Sequence, residues 1–79
     1  MKTLSVVLHK EEDMYVAECP EVGTVSQGKT VNEAVGNIKE ATELYLEEFP
    51  MQIGEKPIIT FFEVEQYAGV KKGIGRQAA

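Results

Sequence analysis

Leu4, Val6 and Leu8 alternate with Ser5, Val7 and His9 near the start of the chain. That is the period of two of a half-buried strand, and it predicts one over residues 3 to 9. The charged run Lys10-Glu11-Glu12-Asp13 follows as a loop of hairpin length, and alternation resumes over residues 14 to 19 with Tyr15, Ala17 and Cys19 on one side. Closing the hairpin around all four loop residues sets Leu8 opposite Tyr15, Val6 opposite Ala17 and Leu4 opposite Cys19, which gathers the apolar set on one face. The other face then carries Ser5, Val7, His9, Met14, Val16 and Glu18. Val7, Met14 and Val16 form an apolar patch there that needs a cover.

Pro20 ends the second strand because it has no N–H for a ladder. Gly23 closes the turn, Thr24-Val25-Ser26-Gln27 reads as a short third strand, and Gly28 breaks it. Thr30 followed by Glu33 matches a capping box. From there Val31, Ala34, Val35, Ile38, Ala41, Tyr45 and Phe49 recur at helical spacing. Glu33, Glu40, Glu43 and Glu47 lie opposite them, with Lys39 among the acids. The spacing predicts an amphipathic helix of about five turns that stops before Pro50. Gly36 inside it costs roughly 1 kcal/mol against alanine, which suggests close approach to the sheet.

Beyond Gly54 and Pro57, the run Ile58 to Val64 is apolar on both sides, with Ile58, Phe62 and Val64 on one and Ile59 and Phe61 on the other. A strand of that kind belongs where both faces are covered, and one helix covers only one face. A second copy of the chain is the expected cover, through Val7, Met14, Val16, Ile59 and Phe61, as a homo-dimer or higher homo-oligomer. The predicted architecture is α+β, in the order β-β-β-α-β, with one helix on a four-stranded mixed sheet whose last strand runs parallel to a neighbour. Residues 1 to 65 form the domain, and residues 66 to 79 read as a flexible, basic, glycine-containing tail.

The chain has 79 residues, enough for one small domain near the lower limit of an unaided core. Cys19 is the only cysteine, which excludes an internal disulfide and a four-cysteine zinc site and suits a reducing compartment. No continuous apolar stretch resembles a signal peptide or a membrane span, so a cytoplasmic protein is expected. The net charge of −5 is unevenly placed. Residues 1 to 65 hold all 13 acids and 5 of the 8 basic residues, a net −8, whereas Lys71, Lys72 and Arg76 make the tail +3. A body at −8 repels phosphates and attracts basic partners.

Tests for catalytic chemistry return little. In the hairpin register above, His9 and Cys19 point to opposite faces about 16 Å apart, too far for a nucleophile–base pair. Glu11, Glu12 and Asp13 are consecutive in a loop, and their spacing matches no calcium or magnesium motif. Glu40, Glu43 and Glu47 form an i, i+3, i+7 row, which is either a solvated stripe or a docking surface for a basic partner. The glycines and cations between Gly69 and Arg76 lack the strand-to-helix context of a phosphate loop. No catalytic residue, metal or cofactor is assigned.

The run Tyr15 to Gly23, then Val25-Ser26-Gln27-Gly28, Thr30-Val31-Asn32-Glu33-Ala34 and Asn37 to Leu46, resembles the HicB-like antitoxin family, formerly grouped as UPF0150-type proteins. Pro20, Gly23, Gly28, Thr30 and Glu33 carry the resemblance, which extends over roughly residues 3 to 64. It implies a partial ribonuclease-H-like fold without ribonuclease activity. It also implies a partner, a small basic HicA-type toxin that cleaves mRNA and whose active site the antitoxin covers. Glu40, Glu43, Glu47, Glu11, Glu12 and Asp13 are the candidate toxin-binding residues. Thr24 stands where many relatives have cysteine, and Lys29 where an acid is usual. The residues after Val64 are too few for the DNA-binding domain that many such antitoxins carry, so direct DNA binding is not expected. The alternative is an orphan oligomeric domain that binds another protein or a small ligand. A hydrolase, resting on fold analogy alone, would call on Glu18 or Glu40.

Overall fold

A computed structural model of the chain describes residues 1 to 66. It contains strands β1 (Val7–Glu11), β2 (Met14–Cys19) and β3 (Thr24–Gly28), followed by helix α1 (Val31–Glu48). The strands form one antiparallel sheet in the order β1-β2-β3. The architecture is therefore α+β, as the pattern predicts, with three strands in place of the expected four and no parallel pair among the described residues. The expected tail lies outside them, apart from Gln66.

The first hairpin is tighter than its charge pattern suggests. Lys10 and Glu11 extend β1, and only Glu12 and Asp13 turn, with Glu12 at a φ of 57°. Leu8 consequently pairs with Ala17 rather than Tyr15, and Tyr15 pairs with Lys10, whose ammonium lies 5.9 Å from the ring centroid. The slip is two residues. Because side chains alternate with a period of two, the expected faces survive it unchanged. Residues 3 to 6, expected in the strand, precede β1 as irregular chain, yet Leu4 and Val6 still pack on the core.

Between β2 and β3 the chain turns tightly, with the N–H groups of Val22 and Gly23 both donating to the Cys19 carbonyl at 3.3 and 2.7 Å. Gly23 has φ 93°, a conformation in which a Cβ is strained. Gly28 ends β3 for a different reason. A Cβ there would lie 2.6 Å from the backbone nitrogen of Ala34, so the first turn of α1 sits directly on it.

Helix α1 has the predicted extent, 18 residues or about five turns. Thr30 caps it, its Oγ1 accepting from the Glu33 N–H at 3.0 Å. The return bond of a capping box misses by one residue, because the Glu33 carboxylate accepts from the N–H of Lys29 rather than of Thr30. The buried stripe is Ala34, Ile38 and Thr42. Tyr45 and Phe49, predicted to join it, are exposed and stack on each other at 5.0 Å between centroids. Gly36 faces open space, not the sheet.

Ala17, Cys19, Ala34 and Ile38 are the buried apolar core, with Leu4, Val6, Leu8, Tyr15 and Val22 packed around them. The helix lies over β3 and β2 rather than β1. Two polar ties hold it there. Thr24 and Thr42 join hydroxyl to hydroxyl at 2.6 Å, and the Asn37 side-chain amide donates to the Gln27 carbonyl at 2.8 Å. Residues 49 to 66 form neither helix nor strand. Ile58, Phe61 and Phe62 are 95%, 89% and 87% exposed, so the expected fourth strand has not docked. A segment apolar on both sides gains little from joining a sheet that would cover only one of them.

Candidate binding cleft and acidic surfaces

Because α1 sits over β2 and β3, the side of the sheet nearest β1 is left without a lid. The N-terminal segment and the helix bound an apolar cleft of about 800 Å3 there. Leu4 and Val6 line it from below, Val35, Ile38 and Leu46 from the helix, and Cys19 and Thr42 lie at its back. On the other flank of the N-terminal segment, residues 5 to 8 face Pro57 to Phe61 across a second gap of about 680 Å3.

The wall between these two spaces is anchored by one carboxylate. Glu21 accepts from the Ser5 N–H at 3.0 Å, and its two oxygens accept from the Ser5 hydroxyl at 3.0 and 2.8 Å. The Cys19 thiol donates to it at 3.6 Å. Desolvation acts to raise the Glu21 pKa, but the bonds from Ser5, from its own backbone N–H and from Cys19 outweigh it and hold the pKa below the usual carboxylate value. Neither Ser5 nor Glu21 stands out in the sequence, since their pairing spans 16 residues and depends on the fold of the turn after β2.

The two acidic groups are not brought together. Glu11, the last residue of β1, and Glu12 and Asp13 in the turn after it are exposed, at the end of the sheet where Tyr15 pairs with Gly28 and the helix begins. Glu40, Glu43 and Glu47 are all exposed along the second half of α1, toward the end where Thr42 meets Thr24. They form a row on one rigid helix. Glu43 is part-neutralised by Lys39, whose ammonium lies 2.7 Å from its carboxylate. Both partners are well exposed, so the pair is worth little to stability.

His9 is exposed on the outer face of the sheet and Cys19 is buried on the inner face. With His9 paired to Val16, they are three strand positions apart, about 10 Å rather than 16. That remains out of reach for proton transfer. Glu18 points from the outer face, while Glu40 stands on a helix packed against the inner one, so the two cannot share a metal ion or a water. No three histidine, cysteine or acidic side chains among the described residues come together as a metal site. No described helix is long and apolar enough to cross a membrane.

Of the expected interface residues, Val7, Ile59 and Phe61 line the second gap together, and all three are exposed. Met14 and Val16 are half-buried on the same outer face of the sheet and take no part in that gap. Pro20 follows the end of β2, Gly23 lies in the next turn, Gly28 is the last residue of β3, and Thr30 and Glu33 stand at the start of α1.

Comparison with known proteins finds a likeness over part of the chain. Over 44 residues the chain is 52% identical to a UPF0150 protein of Helicobacter pylori strain J99. The matched stretch takes up 54% of this chain and spans 61% of the length of that relative. No family model matches the chain, and no solved structure matches it.

Proposed function

We propose that this chain is an antitoxin-like binding module that neutralises a small basic HicA-type toxin by covering its mRNA-cleaving site. The observation that carries the reading is the exposed row Glu40, Glu43 and Glu47 on a helix fixed to the sheet by a threonine pair and an asparagine. Carboxylates carried on a rigid helix meet cations with only side-chain ordering to supply, and an acidic body speeds the encounter. The HicB-like motif over residues 15 to 46 and the UPF0150 likeness agree with it. The protein in this reading is not an enzyme: it works in the cytoplasm by occlusion and without a cofactor.

The test is co-purification of the tagged chain from its native host, followed by assay of whatever basic protein is retained. The reading requires a partner that cleaves mRNA alone and stops when this chain is added back. A retained partner without that activity, or none at all, overturns it.

A further inference from the structure

We infer that residues 58 to 64 of one copy add as a fourth strand along the open edge of β1 in a second copy, in a reciprocal exchange. The two edges of the sheet are treated differently. At β3 the helix reaches over, and Asn37 caps the Gln27 carbonyl at 2.8 Å. At β1 no strand is paired on the outside; the chain's own residues 57 to 61 face residues 5 to 8 only across a gap, so the edge can still template another strand. Next to the start of this edge, along the residues that precede β1, lies the cleft of about 800 Å3 walled by Leu4, Val6, Val35, Ile38 and Leu46. A strand added to β1 and continued along residues 4 to 6 would turn alternate side chains toward it.

Each chain also carries the piece that is missing. Ile58-Ile59-Thr60-Phe61-Phe62-Glu63-Val64 is rich in β-branched and aromatic residues, the composition of a strand. Five of its seven side chains are large and apolar, and they are 61% to 95% exposed. A monomer rarely leaves that much apolar surface together. In an added strand Ile58, Phe62 and Val64 share one side and fit the cleft. Ile59 and Phe61 take the other side, next to Val7, which is itself 42% exposed.

The occupant is a second copy because the chain's own segment would solve half the problem. Docked on its own β1, it would bury Ile58, Phe62 and Val64 and leave Ile59 and Phe61 facing water. Exchanged between two copies, the outward set falls between two bodies. Residues 49 to 57 form a connection that spans about 30 Å when extended, long enough to reach a neighbour. One open edge and one unpaired strand per chain make a self-complementary two-fold pair that closes without further addition. The area is sufficient as well. An aromatic side chain buries about 150–250 Å2, so two phenylalanines and three aliphatics from each copy bring the total to the roughly 1,200–2,000 Å2 of a stable interface.

Two variants that each add one cysteine, Val7→Cys and Phe61→Cys, test this, with the buried Cys19 left in place. They are unfolded and refolded together, treated with a short bismaleimide and weighed by mass spectrometry. The expected product contains one chain of each kind at twice the 8.7 kDa chain mass, and light scattering of the unmodified protein gives the same doubled mass. Phe62→Glu is expected to halve the scattering mass while the helical circular dichroism persists. A monomeric wild-type mass at every concentration overturns the exchange. So does a dimer that survives Phe62→Glu, or a Val7→Cys/Phe61→Cys chain that links only within itself. None of these outcomes bears on toxin binding by the acidic helix.

Discussion

Thr24 on β3 and Thr42 on α1 meet hydroxyl to hydroxyl at 2.6 Å, and Thr42 is the one buried polar residue among those described. Each hydroxyl is the other's partner at the seam between sheet and helix. Thr42→Val strands the Thr24 hydroxyl, and Thr24→Val does the reverse. Each change is expected to lower the unfolding free energy by about 1–3 kcal/mol. The double variant is expected to lose markedly less than the sum, because an apolar pair of the same shape leaves nothing unsatisfied. Urea unfolding of the four proteins measures the coupling, and strict additivity would show that the two hydroxyls act separately.

Glu21 makes stability depend on acid. Its pKa is lowered in the folded chain, so its contribution is complete above the unfolded carboxylate value of about 4.3 and is lost as pH falls through the lower folded value. The melting temperature is expected to drop across that acid window. In Glu21→Gln the drop should be shallower, and stability at neutral pH lower, because Ser5 loses an ionised acceptor. Parallel melting curves for the two proteins between pH 3 and 7 would contradict the clamp.

Two glycines should respond in opposite ways to the same substitution. Gly36→Ala adds a methyl group to open space within a helix and is expected to stabilise by up to about 1 kcal/mol. Gly28→Ala pushes a methyl group against the Ala34 backbone nitrogen and is expected to cost about 1–3 kcal/mol. Thermal unfolding distinguishes them by sign.

Thr30→Ala removes the acceptor for the Glu33 N–H and is expected to cost about 1 kcal/mol. Thr30→Asp should restore most of it, since aspartate caps as well as threonine. Chemical denaturation of the two variants checks this, and equal losses would mean that the effect of Thr30→Ala does not come from the side-chain cap.

Reversing Glu40 and Glu43 to lysine should weaken binding of a basic toxin far more at low salt than at high salt, because exposed charges are screened within about 10 Å at 0.1 M. Titration calorimetry at two ionic strengths reads the difference. An equal loss at both would place the contact elsewhere on the surface.

Strand faces, helix extent and the Thr30 cap were all legible from periodicity, because a period of two or 3.6 is local and repeats several times within each element. The hairpin register was legible only modulo two. Four consecutive charges look like a loop, and nothing local shows that Lys10 will lie over Tyr15 as a strand residue. Thr42 gives no signal in the pattern, because a hydroxyl in the apolar stripe has meaning only with Thr24 opposite it. Gly36 and Gly28 exchanged roles for the same reason, since close approach is a property of the packed fold. The Ser5–Glu21 clamp joins two ordinary polar residues across the fold and left no trace in the pattern. Residues 58 to 64 were recognised by composition as strand-forming, but composition does not say which edge, or whose, they pair with.

The placement of α1 over β2 and β3 has a consequence for timing. Both strand pairings, and the main packing of α1 on β3, join elements that follow one another directly in the chain, so loop closure is cheap and this unit can form quickly. It can therefore be complete before Ile58 to Val64 have settled against any edge. By the time that apolar segment settles, the β1 edge of its own chain and those of chains growing nearby on the same message are already formed. Assembly then becomes a matter of synthesis density, and a protein built this way would reach its paired form fastest where its message is most crowded with ribosomes.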